Sequence, residues 1–564
     1  MNKLLIAFFL FLLPFGWIKA TASSHPESFP WKAQWINTER CQSATNTWLI
    51  YRKSFGVTDV PDQLIARIAA DSKYWLWIND QLVIFEGGLK RGPSPSGTYY
   101  DPVDIAPSLT KGSNTIAILL WHFGKDGFSH INSGKAALLF EAIAPGLEIV
   151  SDASWQCALY EAYQNTEAPF PNYRMPERNI RFDARQAITN WNRTSFEGSL
   201  PGAVCVGKAG KAPFGDLVER PIPQWKNSGL LSYVSVRESL KGDTLFCRLP
   251  YNAQITPYLK VEAEAGNTIH IRMDNYEGGS ERNVRAEYIT REGEQEYESY
   301  GWMNGHEVYY IIPEGVKVLD VKFRETGYDT EFTGSFSCND PFMNELWKRS
   351  ARTLYITMRD SYMDCPDRER AQWWGDEVNE LGEAFYALSP SGQKLAVKGI
   401  HELMNWQRED GTLYAPVPAG NWDKELPLQM LASIGWYGFY TQYYYSADSS
   451  FVPVIYDRMR RYLHEVWQVD KSGLVIERQG AWSWGDWGEH VDMGVLTNCW
   501  YYLALKAERA FALQLGKDKD ADEISRMMRS IERCFDTKFW TGSAYRSPGY
   551  KGETDDRSQA MAGV

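Results

Sequence analysis

Residues that bind metals or carry out redox chemistry are scarce in this chain of 564 residues. The eight histidines form no HExxH motif or comparable cluster, and the eight cysteines form no CxxC pair. A metal-dependent hydrolase is therefore disfavoured, and we expect neither a metal ion nor another cofactor. The cysteine spacing does not require disulfides even in an oxidising compartment.

Positive charge is also in short supply. Lys and Arg number 59 against 71 Asp and Glu, which leaves a net charge of −12. This acidic balance argues against nucleic acid or an anionic membrane as a partner and suits a neutral or cationic ligand. The pattern indicates nothing about the oligomeric state.

Long apolar runs are absent after the N-terminus, so membrane insertion is not expected. The N-terminus itself has a basic start at Lys3, an apolar run over Leu4–Phe15 and small residues at Ala20-Thr21-Ala22. These features predict a signal peptide over residues 1–22. We therefore expect an exported protein, either periplasmic or extracellular.

Strand patterns fill the first part of the chain. Tyr74–Ile78 is rich in strand formers and is followed by the turn residues Asn79-Asp80, and similar short runs predict a β-sandwich over residues 27–220. Tyr160–Arg185, rich in Pro, Asn and Arg, is predicted to be a long loop or an insertion. Pro221-Ile222-Pro223 is a linker signal, and the alternation in Thr268–Met273 predicts a second β-sandwich over residues 221–336.

The apolar period changes near Cys338. Asp340 can cap a helix that has Pro341 at its first position, and Phe342 and Leu346 then share one face. Further helices are predicted at 376–388, 393–409, 426–446, 451–468, 493–515 and 519–535. Such an array is typical of an α/α toroid, here over residues 337–564. Because the chain ends soon after another helical pattern begins, we expect only part of the toroid to be present.

The segment Asp364–Glu377 has the strongest chemical character. It places five acids, two arginines and two tryptophans in fourteen residues. Crowded carboxyls cannot all ionise together, so one of them should keep its proton near neutral pH, as a general acid must. Aromatic rings suit the flat face of a sugar. The structural alternative is a salt-bridged helix N-terminus with acids placed by the helix dipole.

The order Asp-Cys-Pro-x-Arg-Glu-Arg in Asp364–Arg370, followed by Trp373–Asp376, resembles the active-site signature of the bacterial α-L-rhamnosidase family. The resemblance implies β-sandwich domains, an (α/α)₆ barrel and hydrolysis with inversion at the anomeric carbon. It also implies that Glu369 is the general acid. The residues implied to bind substrate or wall the pocket are Asp364, Arg368, Trp373 and Asp376.

Other segments extend the resemblance. Trp31–Ile36 is similar to the opening of the family's first sandwich, and Phe323–Tyr328 resembles the strand that leads to its barrel. Trp484–Trp487 and, more weakly, Asn421–Asp423 resemble loops that line its sugar pocket. These matches imply that Trp422, Asp486 and Trp487 contact the substrate.

The sequence departs from the family pattern in two ways. Gln372 stands where a glycine is expected, and the family's general base, a glutamate in a late barrel loop, would fall beyond the end of this chain. Glu489 is a possible substitute, although an ordinary surface acid is the commoner role of a glutamate. We therefore expect a carbohydrate substrate and an inverting glycoside hydrolase that removes terminal α-L-rhamnose. The alternatives are a non-catalytic carbohydrate-binding protein and a hydrolase of another terminal sugar.

Overall fold

Strands precede helices in the computed structural model, which describes residues 30–277, 282–478 and 482–564. The expected signal peptide at 1–22 lies outside the described residues. The strands are β1 (Gln34–Asn37), β2 (Thr47–Val57), β3 (Ile65–Asp71), β4 (Lys73–Ile78), β5 (Gln81–Gly87), β6 (Thr98–Asp104), β7 (Gly112–His122), β8 (Ala137–Ala144), β9 (Leu147–Val150), β10 (Gln156–Leu159), β11 (Tyr163–Gln164), β12 (Ile180–Asp183), β13 (Val204–Lys208), β14 (Leu217–Glu219), β15 (Lys226–Ser232), β16 (Ser235–Glu238), β17 (Thr244–Ala263), β18 (Thr268–Met273), β19 (Ala286–Ile289), β20 (Gly293–Glu298), β21 (Met303–Ile311) and β22 (Lys317–Gly327).

The first β region is a sandwich of two sheets. One sheet has the order β13-β1-β8-β3-β6-β14, with β9 beside β8, and the other has the order β10-β2-β7-β4-β5. Side chains from both sheets share one core, for example Ile68 and Leu138 from the first and Leu49 from the second. The turn between β4 and β5 is at Asn79 and Asp80, as predicted. Both residues have positive φ, which Asn and Asp tolerate better than most residues do.

The second β region is built on a third sheet, ten strands wide among the described residues. Its long strand β17 pairs with β16 and β21 through its first half and with β20 and β22 through its second half. The segment Tyr160–Arg185 is not wholly a loop, because β11 and β12 from this segment join the sheet. β12 runs parallel to β19, with Ile180 opposite Ala286. Two strands from the first β region are therefore part of the sheet of the second β region.

The helical region begins at residue 341. Its helices are α1 (Pro341–Ile356), α2 (Trp374–Ala387), α3 (Ser391–Asn405), α4 (Pro427–Ile434), α5 (Phe439–Ser446), α6 (Val452–Arg461), α7 (Met493–Gln514), α8 (Asp518–Phe539) and α9 (Asp556–Ala562). A π-helical turn at Tyr462–Val466 continues α6. Among the described residues, no helix has the length and apolar character needed to cross a membrane.

Two helices illustrate how local sequence sets their bounds. The Asp340 carboxylate accepts a hydrogen bond from the backbone N–H of Phe342 over 2.9 Å, and Pro341 is the first residue of α1, as predicted. The single helix predicted at 426–446 is instead two, α4 and α5. A Cβ atom on Gly438 would lie 1.8 Å from the carbonyl oxygen of Ser433, so the backbone turns here in a way that only glycine permits.

Buried polar pairs join the first β region to the helical region. Lys73 Nζ lies 2.7 Å from Asp360 Oδ1, and the Tyr99 hydroxyl donates to a carboxylate oxygen of Glu402 over 2.8 Å. Removing one partner of such a buried charged pair typically costs about 3–5 kcal/mol. These contacts therefore fix how the first sandwich sits against the helices.

Candidate active site

The acid-rich segment forms the connection between α1 and α2. The backbone N–H of Asp364 donates to the carbonyl of Ala371 over 2.9 Å, and the N–H of Ala371 donates back to Asp364 Oδ1 over 3.1 Å. The loop is therefore closed on itself between these two residues. Trp373 is the last residue before α2, so the signature spans a closed loop and a helix start.

Arg370 anchors this loop in the protein interior. Its backbone φ of 54° is in the left-handed region, which residues other than glycine rarely adopt. Several contacts hold its guanidinium in place. It donates to the carbonyl of Pro366 over 2.8 Å, lies 3.1 Å from Glu177 Oε1 and stacks 3.4 Å from the ring centre of Trp302. Arg370 is therefore structural, while the preceding residue, Glu369, contacts the groups of the pocket.

Glu369 is buried and its two carboxylate oxygens have different partners. Oε2 accepts the indole N–H of Trp373 over 2.7 Å. Oε1 lies 3.0 Å from Arg368 Nη2 and 3.6 Å from Arg174 Nη1. Arg174 comes from the first β region, so side chains from both parts of the protein orient this carboxyl group.

Two further acids flank Glu369 and hold their protons more tightly than usual. Burial, reinforced by the charge of Glu369, raises the pKa of Asp364 to about 7. Burial also raises the pKa of Asp376, with further contributions from Asp486 and then Glu369. The site can therefore hold a proton near neutral pH. The sequence led us to expect that one acid of this segment keeps its proton, and burial favours this at Asp364.

Aromatic rings wall the site in a continuous row. The rings of Trp373 and Trp422 meet edge to face with centres 5.3 Å apart, and Phe128 of the first β region lies 5.2 Å from Trp422. On the other side, Trp482 lies 6.3 Å from Trp422 and stacks on Trp484. Such rings can bind the C–H face of a sugar.

The loop formed by Gly485, Asp486 and Trp487 lies at the edge of this site. Asp486 is close enough to Asp376 for their charges to interact. Trp487 is 85% exposed and contacts Trp484, which places it at the outer end of the aromatic row. Arg557 donates to the carbonyl of Gly485 over 2.9 Å and so helps to hold the loop in place. Glu489 is exposed.

The structure thus brings most of the predicted site residues together. One cluster is formed by Asp364, Arg368, Glu369, Trp373 and Asp376. Trp422 joins this cluster through its ring and Asp486 through its charge, whereas Trp487 is peripheral.

The sequence did not indicate the contribution of the first β region. Phe128, Tyr173 and Arg174 reach the site from two of its loops, whereas the composition of Tyr160–Arg185 predicted only a long loop or an insertion. The two loops are joined, because Phe128 N–H donates to the carbonyl of Arg174 over 2.7 Å. The loop that holds Trp422 is hydrogen-bonded to the loop that holds Phe128, because the N–H of Gly420 donates to the carbonyl of Gly127 over 3.1 Å.

Gln372, which stands where the family pattern has a glycine, has a structural role. It is fully buried, and its amide donates to the carbonyl of Val417 over 2.8 Å and to Glu402 over 3.2 Å. It therefore ties the signature loop to the barrel interior rather than facing the pocket.

Residues 331–562 match the family model described as the bacterial alpha-L-rhamnosidase six-hairpin glycosidase domain. No curated protein sequence matches the chain.

Solved structures resemble almost the whole chain. The rhamnosidase of Bacillus sp. GL1 superposes with a TM-score of 0.82 at 18% identity, over 95% of this chain and 82% of that one. The α-L-rhamnosidase from Dictyoglumus thermophilum gives 0.74 at 20% identity, over 91% and 60%. The enzyme from Aspergillus terreus gives 0.75 at 18%, over 91% and 62%. The chain thus spans less than two thirds of the last two, and at these identities the likeness establishes the fold.

Proposed function

We propose that the protein is a glycoside hydrolase that removes terminal α-L-rhamnose from glycans. The match of residues 331–562 to the family model of the bacterial alpha-L-rhamnosidase six-hairpin glycosidase domain supports this proposal. The observation that carries the proposal is the setting of Glu369. This carboxyl group is buried beside Trp373 in an aromatic-walled site, with two acids of raised pKa, Asp364 and Asp376, next to it.

The site residues divide between sugar binding and chemistry. The rings of Trp373 and Trp422 provide apolar surfaces for the pyranose. Asp364 and Asp376 can each accept hydrogen bonds from sugar hydroxyls when ionised and donate one when protonated. Because burial raises the pKa of Asp364 to about 7, both modes are accessible to that acid near neutral pH.

Glu369 acts as the general acid in this proposal. It gives its proton to the glycosidic oxygen as the bond from that oxygen to the anomeric carbon breaks. A water molecule attacks the opposite face, and its proton passes to a second carboxylate. In an inverting enzyme that carboxylate lies roughly 6.5–9.5 Å from the acid. The family resemblance implies that this base is a glutamate in a late loop of the barrel.

The test is Glu369→Gln assayed on an aryl α-L-rhamnoside. We expect turnover to be abolished while the circular dichroism spectrum and the binding of L-rhamnose persist. Glu345→Gln is the matched control, because Glu345 is an exposed acid on α1 paired with Arg349, and it should behave like the parent. Unchanged turnover in Glu369→Gln would rule out its role as the acid.

The same assay separates the alternatives. A parent protein that binds L-rhamnose without cleaving aryl rhamnosides would be a carbohydrate-binding protein. Cleavage of a different aryl glycoside in a panel would assign another terminal sugar. We further propose that the protein is exported to the periplasm or beyond, on the strength of residues 1–22. Protease accessibility in intact cells tests this localisation.

A further inference from the structure

We propose that Tyr173 and Arg174 form a subsite for the leaving group, the part of the substrate released together with the glycosidic oxygen. The ligand is a six-membered ring with an apolar face, either a pyranose or an aryl group. The inference rests on the proposed function, because it takes Glu369 as the acid that protonates that oxygen.

The position of Arg174 relative to Glu369 locates the subsite. The general acid must contact the glycosidic oxygen, so the ring attached beyond that oxygen lies beside the acid and outside the sugar pocket. Arg174 Nη1 is 3.6 Å from Glu369 Oε1, and its side chain is partly exposed. Arg174 therefore borders the acid on the side that faces the first β region.

Tyr173 provides the surface for the ring. Its side chain is 62% exposed although it is the immediate neighbour of a residue that contacts the buried acid. The guanidinium of Arg174 lies 5.0 Å from its ring centre, and Phe128 meets it edge to face at 6.0 Å. An exposed aromatic ring beside an arginine that borders the proposed acid is suited to stacking against a second ring.

The backbone around this surface is fixed by hydrogen bonds. The N–H of Arg174 donates to Asn172 Oδ1 over 2.9 Å, and the carbonyl of Arg174 accepts from Phe128. The side chain of Asn421, from the loop that holds Trp422, lies 3.4 Å from the carbonyl of Tyr173. Because the loop is held from both sides, little ordering is needed when a ligand binds.

The test measures binding by calorimetry in the Glu369→Gln background, so that no ligand is consumed. The ligands are L-rhamnose, p-nitrophenyl α-L-rhamnoside and a rhamnosyl-glucose disaccharide. We expect Tyr173→Ala to weaken binding of the two larger ligands by about tenfold and to leave L-rhamnose unchanged. A loss confined to the aryl ligand would assign an aryl leaving group, and one confined to the disaccharide a sugar.

Controls separate stacking from a general disturbance of the loop. Tyr173→Phe should retain binding because it keeps the ring. Phe170→Ala removes another exposed aromatic side chain of the same segment and should change nothing. Equal losses for all three ligands, or no loss for any, would overturn the inference while leaving the proposed function intact. If the Glu369→Gln protein binds none of the ligands, the proposed function fails, and the subsite fails with it.

Discussion

Trp373 donates its indole N–H to Glu369 Oε2 over 2.7 Å, across only four positions of sequence. The same ring meets Trp422 edge to face. One side chain therefore both shapes the sugar pocket and orients the carboxyl group proposed to protonate the substrate. Its hydrogen bond and its ring surface can be separated by substitution.

Trp373→Phe keeps an aromatic wall but removes the indole donor. The indole N–H stabilises the carboxylate that Glu369 becomes as it gives up its proton. A hydrogen bond to a charged group is worth about 1.5–3 kcal/mol, so we expect kcat to fall by roughly ten- to a hundredfold with little change in KM. Steady-state kinetics on an aryl rhamnoside give both values.

Trp374→Phe is the control for this substitution. Its indole N–H has no hydrogen-bond partner among the residues that the structure describes, and its ring is buried against Phe439. It should retain the parent kcat. Equal losses in the two variants would show that the tryptophan ring, rather than the donor, matters at position 373.

Asp364→Asn should change how stability depends on pH. Burial and the charge of Glu369 raise the pKa of Asp364 from 3.8 to about 7 in the folded protein. The folded state therefore binds this proton more tightly than the unfolded chain, and stability falls as pH rises through that window. Asparagine cannot ionise, so the variant should gain stability relative to the parent between about pH 4 and 7, on the order of a few kcal/mol at most.

Thermal melting at several pH values measures this gain. The difference in Tm between variant and parent should be smallest near pH 4 and greatest near pH 7. Asp59→Asn, at an exposed acid paired with Lys111, should show no such trend. A difference that shrinks toward neutral pH would contradict the raised pKa.

Glu177→Gln should destabilise the junction behind the signature loop. Glu177 is buried and its Oε1 lies 3.0 Å from Lys90 Nζ and 3.1 Å from Arg370 Nη1. These two cations hold the pKa of Glu177 below its usual range against the opposing effect of burial. Removing the negative charge leaves both cations buried, which we expect to cost about 3–5 kcal/mol.

Denaturant unfolding of Glu177→Gln measures that cost. Glu161→Gln, which disrupts an exposed pair with Arg40, should change stability by about 1 kcal/mol or less. If the two variants unfold at the same denaturant concentration, the buried pair does not stabilise the junction.

Local patterns predicted much of the fold. The alternation in Thr268–Met273 predicted β18 with its observed bounds, and Asp340 with Pro341 marked the first residue of α1. The central residues of the candidate site could also be predicted from the sequence, because Asp364, Glu369, Trp373 and Asp376 lie within one short segment. In each case the physical cause acts over a few residues.

Contacts between residues far apart in the chain could not be predicted from the sequence. The four-residue strand β12 is too short to show a periodicity, and its partner β19 lies more than 100 residues further along the chain. Arg174 reaches Glu369 across a still longer stretch of sequence. The division between α4 and α5 depends on a close approach of Gly438 to Ser433, which only the folded backbone reveals.

The hydrogen bonds from Gly420 to the carbonyls of Gly127 and His130 bear on how this architecture can be recombined. They couple the position of Trp422 to a loop of the first sandwich, and a Cβ atom on Gly420 would collide with Asp126. A chimera that grafts these helices onto a foreign sandwich would need to bring the matching loops with it. The sandwich and the helical toroid therefore constrain each other's divergence, and exchange between relatives should succeed only when the contacting loops are transferred with the helices.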